Sequence, residues 1–270
     1  MDYLSRESAP FSGELWNQID EAVVDSARRI LVGRRFLTIF GPLGAGAQSI
    51  NIDSEKKTEE FNDGFVQTTG RQYAEIPQVY DDFFLLWRDI EASDKTGYPV
   101  DIASAMAAAE SLSRREDKLI FFGNSALGVN GILNAPGANK VKRGDWSTGE
   151  NAFSDVAKGI SILDEKGYLG RYALILSPDL YLDLQRIQPG TGLMEIDRIC
   201  RMVDGRVFRA PVLGSRRAVL VCCEPQYMDL VVGIDMTTAY LELVDLNHHM
   251  RVLETVLPRI KRQDAIVVFG

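Results

Sequence analysis

Apolar residues between positions 13 and 32 recur at intervals of three and four, the spacing of one face of a helix. Ser12 is placed to cap the start of this helix, and Gly33 follows its last residue. The opposite face is acidic early and basic late, as the helix dipole favours. The pattern predicts an amphipathic helix over residues 13–32. Its apolar face comprises Leu15, Trp16, Ile19, Val23, Ala27, Ile30 and Leu31.

A short apolar run at residues 36–40 predicts a strand, but residues 47–80 show no convincing apolar face. A segment of that length without a core of its own is typical of a functional arm or of disorder. An isolated two-stranded arm is only marginally stable in water. We therefore expect this segment to lie on something else, most simply a neighbouring subunit.

The rest of the chain mixes helices and strands, without an internal repeat. A long helix is predicted from Asp101 to about Lys118, and the stretch 124–149 is rich in Gly, Asn and Pro, as loops are. The mixture indicates an α+β chain with one lobe around residues 125–225 and another built from both chain ends. Further elements are predicted as helices over 152–166, 178–187 and 193–203, strands over 172–176, 218–222 and 230–234, and a final strand pair over 251–259 and 265–269.

The composition is that of a folded protein, with 46% apolar and 25% charged residues among 270. Lys and Arg number 30 against 38 Asp and Glu, and the net charge of −8 opposes broad binding to nucleic acid. No stretch reaches the roughly 20 apolar residues of a membrane span, and the N-terminus lacks the apolar run of a signal sequence. Three cysteines cannot all pair within one chain, so reduced thiols in a cytoplasm fit best.

The candidate catalytic motifs are weak. The glycine-rich segment 41–46 invites comparison with a phosphate-binding loop, but no Lys follows and no helix begins there, which favours a tight turn. His248 and His249 are neighbours that cannot both face one metal from a strand, so solvent-facing or interface positions are expected. Cys200 lies beside two arginines that could activate it, although a half-buried helical cysteine is the simpler interpretation. We predict no catalytic residue and no metal site.

A series of short segments occurs in a characteristic order along nearly the whole chain. It comprises Gly33-Arg34-Arg35-Phe36-Leu37, Gly41-Pro42-Leu43-Gly44, Tyr80-Asp81-Asp82-Phe83, Leu86-Trp87-Arg88-Asp89-Ile90-Glu91, Glu116-Asp117-Lys118-Leu119-Ile120-Phe121-Phe122-Gly123, Leu176-Ser177-Pro178-Asp179, Thr238-Ala239-Tyr240-Leu241 and Arg251-Val252-Leu253-Glu254. No single segment is decisive. Together they resemble family 1 encapsulins, nanocompartment shell proteins once described as linocin-like bacteriocins and related to tailed-phage major capsid proteins.

The resemblance implies an α+β fold of the Hong Kong 97 phage-type major capsid class. In that fold a P-domain carries a long spine helix, an A-domain reaches the symmetry axes, and an extended E-loop arm contacts the next subunit. The implied divisions are 1–46 for the N-terminal helix and the start of the P-domain, 47–80 for the E-loop arm, 81–124 for the P-domain with its spine helix, 125–225 for the A-domain and 226–270 for the return to the P-domain.

The resemblance also implies a function. The chain would be a cytoplasmic shell component, not an enzyme, that self-assembles into an icosahedral shell around a cargo enzyme. The expected cargo is a ferritin-like protein of iron storage and oxidation or a dye-decolourising peroxidase, held by a short terminal targeting peptide. Its partners would be itself and the cargo, with no nucleic acid and no membrane. A phage or prophage major capsid protein is the nearest alternative, and a soluble peptidase or nucleotide-binding enzyme is a more distant one.

Three sets of site residues follow from the resemblance. Trp87 is the candidate for stacking a flavin, as some shells of the family do, although core packing is an alternative for a Trp in an apolar run; no other cofactor is implied. Thr38 stands where some relatives have an acidic residue that contacts cargo. The pore loop would comprise Gln188, Pro189, Gly190, Thr191 and Gly192, which could also be an ordinary surface loop. The cargo-peptide site would comprise Ile30, Leu31, Arg34, Thr38, Leu230 and Ile234.

Overall fold

The first helix forms where the apolar spacing predicts it, and comprises residues Gly13–Ile30 (α1). The Ser12 hydroxyl caps its start by accepting a hydrogen bond from a backbone N–H of the first turn at 3.1 Å. Its end comes two residues earlier than predicted, because the Asp117 carboxylate accepts hydrogen bonds of 2.9–3.1 Å from the backbone N–H groups of Val32 and Gly33. The computed structural model describes residues 3–52, 58–188 and 192–270.

The other helices confirm the predicted order of elements, with shifted ends. The long helix is 20 residues and packs its small side chains, Ala105 and Ala109, against α1. The two helices around residue 190 are shorter than predicted. The helices after α1 are Trp87–Thr96 (α2), Ala103–Phe122 (α3), Asn151–Glu165 (α4), Pro178–Asp183 (α5) and Glu195–Met202 (α6).

The strands divide among two five-stranded sheets and three two-stranded ribbons. These counts refer to the described ranges. In chain order the strands are Ile39–Phe40 (β1), Ser49–Asn51 (β2), Thr58–Asn62 (β3), Phe65–Thr69 (β4), Tyr73–Glu75 (β5), Gln78–Leu85 (β6), Gly123–Asn124 (β7), Val129–Asn130 (β8), Asn139–Val141 (β9), Tyr172–Leu176 (β10), Val207–Arg209 (β11), Ala218–Cys222 (β12), Met228–Val232 (β13), Thr237–Val244 (β14), Asn247–Ile260 (β15) and Ile266–Phe269 (β16).

The first sheet has the order β1-β13-β15-β14, and β6 also pairs with β15. All its pairings are antiparallel except that of β1 with β13. Alternate residues of β6 and β15, among them Phe83 and Met250, face a core shared with Ile19 of α1 and Leu112 of α3. This two-residue alternation is what places both long helices on one face of the sheet.

The second sheet has the order β11-β10-β12-β16-β9. The last strand of the chain, β16, belongs to this sheet, and its position corrects two predictions from the sequence. The range 226–270, predicted to return to the P-domain, does not lie entirely in the first sheet, and the strands near 251–259 and 265–269 do not pair with each other. Ile266–Phe269 instead inserts between β12 and β9, because three of its four residues are buried in this sheet.

The segment 47–80 is an arm of paired strands. β2 pairs with β5, and β3 pairs with β4, both antiparallel. The β3–β4 turn is Asp63-Gly64, with φ angles of 47° and 80°, the geometry of a two-residue type I′ hairpin. Within the described ranges, no helix combines the length and apolar character needed to cross a membrane.

Candidate assembly and cargo-binding surfaces

The tip of the arm, which is the β3–β4 hairpin, exposes its apolar side chains. Phe61 is 75% exposed, Phe65 78% and Val66 58%. In the described part of the chain, these two strands pair only with each other. Phe61 and Val66 are cross-strand partners on one face of the hairpin, and Phe65 lies on the opposite face. Exposed apolar side chains on both faces of a hairpin tip are typical of a protein–protein contact.

The base of the arm, by contrast, is anchored on the first sheet. Ile76 is 5% exposed and packs with Val231 and Leu257, and Ile50 and Ala74 of the ribbon lie against this small cluster. The arm is therefore held at one end by its own subunit while its apolar tip is left uncovered.

A cavity of about 330 Å³ lies beside the end of α1. Its apolar wall comes from Val24, Ala27 and Leu31 on one side and Met236 on the other, and Arg34 contributes to its rim. Two of the six predicted cargo-site residues, Leu31 and Arg34, thus line one cavity.

Arg34 is the centre of a buried ion cluster, and this corrects the role predicted for it. Its guanidinium donates hydrogen bonds to Glu116 at 2.7–3.0 Å, to Glu254 at 2.7 Å and to Asp235 at 2.6 Å. The side chains of Glu116 and Glu254 are fully buried. A guanidinium already shared among three carboxylates is not available to anchor a peptide carboxylate, so its part in the cavity is structural.

The ion cluster shifts the pKa values of its members. Burial, followed by the charge of Glu116, raises the pKa of Glu254 well above its ordinary value. Burial acts against the charge of Arg34, but its carboxylate partners raise the pKa of this guanidinium overall. Burial likewise opposes the charge of Asp235, and the hydrogen bond from Arg34 nevertheless lowers the pKa of that carboxyl. The cluster therefore keeps Arg34 charged and disfavours ionisation of Glu254.

The remaining predicted cargo residues do not share that cavity. Leu230 is a fully buried residue of β13 in the first sheet, and Ile30 lines a different, larger cavity. The Thr38 hydroxyl accepts a hydrogen bond from Arg171 at 3.0 Å. Ile234 is half-buried, and its backbone N–H donates to the Thr255 hydroxyl at 2.7 Å. The six residues therefore do not form one continuous groove within the subunit.

Two exposed residues of β1 are not among the site residues predicted from the sequence. Ile39 and Phe40 are each 43% exposed, and β1 is the last strand at its end of the first sheet. The Arg259 guanidinium lies 4.7 Å from the Phe40 ring centroid. The continuous apolar run at 36–40 resembles a buried strand, so its pattern gives no signal that the last two residues face outwards.

The predicted pore loop is closed at its base. The backbone N–H of Gln188 donates to the Leu193 carbonyl at 2.9 Å, and Ile187 forms an antiparallel bridge with Met194. Gly192 has a φ of +67°, a conformation that favours glycine. Pro189, Gly190 and Thr191 lie outside the described residues, so their place at a pore stays a prediction.

Trp87, the candidate for flavin stacking, begins α2 and is 38% exposed. The Arg88 guanidinium lies 5.6 Å from its ring centroid. The alternative of core packing is wrong, because the side chain belongs to neither of the main cores. None of the cavities described here is lined by Trp87. Flavin stacking at Trp87 therefore stays a prediction.

The weak catalytic motifs take structural positions. A side chain at Gly41 would bring its Cβ within 2.2 Å of the Val232 carbonyl, and no helix follows, so the glycine-rich segment is a turn laid on β13. His248 is buried against Phe11 with ring centroids 4.8 Å apart, which corrects the expectation of an exposed or interface position. Burial, with the charge of Asp197, raises the pKa of the Cys200 thiol. Within the described ranges, no group of three or more His, Cys, Asp or Glu side chains is arranged to hold a metal ion.

Comparison with known proteins identifies the family. Residues 1–257 match the family described as encapsulating protein for peroxidase. A type 1 encapsulin shell protein, EncA of Myxococcus xanthus, is 39% identical over 98% of this chain and 95% of its own length.

Solved structures identify the fold. A virus-like particle protein from Pyrococcus furiosus superposes with a TM-score of 0.77 at 24% identity, covering 95% of this chain and 100% of that one. The capsid protein of Myoviridae phage XM1 superposes with a TM-score of 0.64 at 14% identity, covering 87% and 90% of the two chains. The predicted α+β phage-capsid fold is confirmed, and the phage proteins are alike in fold alone. By sequence, the chain belongs to the encapsulin family of shell proteins.

Proposed function

We propose that this chain assembles into a closed icosahedral shell that encloses a cargo protein, and that any chemistry belongs to the cargo. The observation that carries the proposal is the β3–β4 hairpin, whose aromatic side chains are exposed at the end of an arm with its base packed on the first sheet. Repeated identical contacts between an arm and the next subunit generate a closed assembly when the rotation between subunits closes. The family described as encapsulating a peroxidase supports a peroxidase as the cargo.

Deletion of residues 50–70 tests this assembly mechanism. The deletion removes the arm but leaves both main cores intact, since neither contains a residue of that segment. We expect a folded subunit that sediments as a monomer or small oligomer. Its circular dichroism spectrum should keep the helical signal of the wild type, because the arm contains no helix. Closed shells from the deletion variant would contradict the proposal.

We further propose that cargo is held through a short terminal peptide at the surface around β1 and the end of α1. An extended peptide can add to the outer edge of β1, where the exposed Ile39 and Phe40 offer apolar contacts. The chain from Gly233 to Met236 runs from the turn after β1 to the cavity lined by Leu31. An apolar anchor of the peptide would fill that cavity.

Co-expression with a fluorescent protein bearing the native cargo tail tests this site. Truncating one buried apolar contact is expected to lower the peptide affinity by about 1–3 kcal/mol. The variants are Phe40→Ala and the double variant Leu31→Ala with Ile234→Ala. Shells should form in each case, but with little fluorescence co-purifying. The matched control is Leu182→Ala, an exposed leucine on α5. Full loading of the variants, or equal loss in the control, would contradict this site.

A cytoplasmic location and a pore at residues 188–192 complete the proposal. Location is supported by the reduced cysteines that the sequence predicts and by the family. The pore is supported by the closed base of the loop at Gln188 and Leu193. Thr191→Asp and Thr191→Lys are expected to change the rate of metal entry into the shell in opposite directions while the shells still form. Identical entry rates in both variants would place the pore elsewhere.

A further inference from the structure

A second cavity, of about 680 Å³, lies between the end of α1, helix α3 and the strand β11. Ile30 and Val32 form its apolar lining on the α1 side, and Val207, Phe208 and Val212 form it on the other. The cavity proposed for the cargo peptide, which Leu31 lines, is its neighbour, and Arg35 contributes to both. Its volume is within the range of roughly 300–1,000 Å³ that small-molecule sites occupy.

The rim of this cavity is strongly basic. Four arginines line it, and Asp117 is the only carboxylate among the described lining residues. The side chains are Arg29, Arg35, Arg114 and Arg209. The chain as a whole carries a net charge of −8. On such a chain, nearby carboxylates would ordinarily neutralise a group of four arginines.

The partners of these arginines leave most of the positive charge uncompensated. Arg35 donates to the backbone carbonyls of Arg28 and Arg29 at 3.3 and 3.1 Å, which are neutral acceptors. Arg114 pairs at 2.9 Å with Glu110, but both side chains are exposed, and an exposed pair of this kind is weak. The Arg209 guanidinium lies 5.9 Å from the ring centroid of Tyr181, and Tyr181 also lines the cavity.

Asp117 does not supply the missing negative charge. Its oxygens accept hydrogen bonds from the backbone N–H groups of Val32 and Gly33 at the end of α1. Burial raises the pKa of this carboxyl to about 7, so it is partly protonated at neutral pH. Its role is to fix the chain after α1, and the cavity keeps its excess of positive charge.

We propose that this cavity binds a small organic anion of the nucleotide class, with its phosphate on the arginines of the rim and its ring on the apolar lining. Guanidinium groups match phosphate oxygens in a bidentate geometry and are the preferred side chains for this recognition. Phe208 and Tyr181 offer aromatic surfaces against which a flat ring can pack. An apolar ligand would leave the arginines unpaired, and a bare phosphate would leave the lining uncovered.

Isothermal titration of the assembled wild-type protein with adenosine monophosphate tests the proposal, with adenosine and inorganic phosphate as comparison probes. We expect adenosine monophosphate to bind once per subunit at millimolar concentration or below, and each comparison probe to bind at least about tenfold more weakly. Higher salt should weaken the binding, since exposed charges are screened.

Two variants and one matched control connect the binding to this cavity. Arg29→Gln and Arg209→Gln should each weaken the binding of adenosine monophosphate by about tenfold or more. Arg28→Gln is the control, because Arg28 is the neighbour of Arg29 on α1, is 76% exposed and lines the other cavity. Sedimentation of each variant as intact shells shows that the fold is kept. Absence of binding at millimolar concentration, unchanged binding in both cavity variants or an equal loss in Arg28→Gln would overturn the proposal.

Discussion

Replacing both aromatic residues of the arm tip by serine, Phe61→Ser with Phe65→Ser, should separate folding from assembly. Their side chains are 75% and 78% exposed in the isolated subunit, so most of their burial is still to be gained from a neighbouring subunit. Full burial of a phenylalanine side chain contributes about 1.5–3 kcal/mol. Because about three quarters of each side chain remains to be buried, losing both should weaken each arm contact by about 2–5 kcal/mol, which is about thirtyfold or more.

Analytical ultracentrifugation across a concentration series measures this effect. The serine variant should need a much higher protein concentration to form shells than the wild type, while its thermal unfolding as a subunit stays unchanged, because neither ring belongs to a core. The matched control, Phe61→Tyr with Phe65→Tyr, keeps the apolar ring area and should assemble like the wild type. Shells of the serine variant at the wild-type concentration would refute the role of the arm tip.

Three further predictions concern the buried charges and the turns. The raised pKa of Glu254 means that its contribution to stability is complete below the ordinary carboxyl pKa and is lost as pH rises towards the raised value. Glu254→Gln should thus lose less thermal stability than the wild type as the pH rises above the ordinary carboxyl pKa in melting scans; equal slopes would contradict the shift. Arg34→Ala removes the partner shared by the buried Glu116 and Glu254 side chains and should cost about 3–5 kcal/mol in denaturant unfolding; a loss below 1 kcal/mol would contradict the ion cluster. Gly41→Ala should destabilise the turn on β13, because its Cβ meets the Val232 carbonyl at 2.2 Å; an unchanged melting temperature would contradict that contact.

The helices could largely be predicted from periodicity alone. The face of α1 that includes Trp16 and Ile19 is buried as its spacing indicates, and the strands at 172–176 and 218–222 have the predicted ends. The hairpin turn at Asp63-Gly64 can also be predicted from the sequence, since an Asp-Gly pair between two strand segments is a strong hairpin signal.

The hydrophobic pattern does not show which residues distant in the chain contact one another. The sequence near Arg34 looks like an exposed basic segment, and nothing local shows that Glu116 and Glu254, distant in the chain, reach the same guanidinium. The last strand, Ile266–Phe269, is apolar enough to belong to either sheet. Its pairing with β12 and β9 depends on tertiary packing, which the local sequence does not show. The local sequence around Leu230 likewise does not show that this residue is fully buried, because its burial depends on the pairing of β13 with β1 and β15.

Sedimentation velocity of the purified wild-type chain, expressed without cargo and followed by negative-stain imaging, tests the central claim most directly. A closed shell of many 30.1 kDa subunits should sediment as one fast, narrow boundary at micromolar concentration and appear as uniform hollow particles. A boundary at the mass of a monomer or dimer, with no particles in the images, would contradict the assignment of this chain as a self-assembling shell protein.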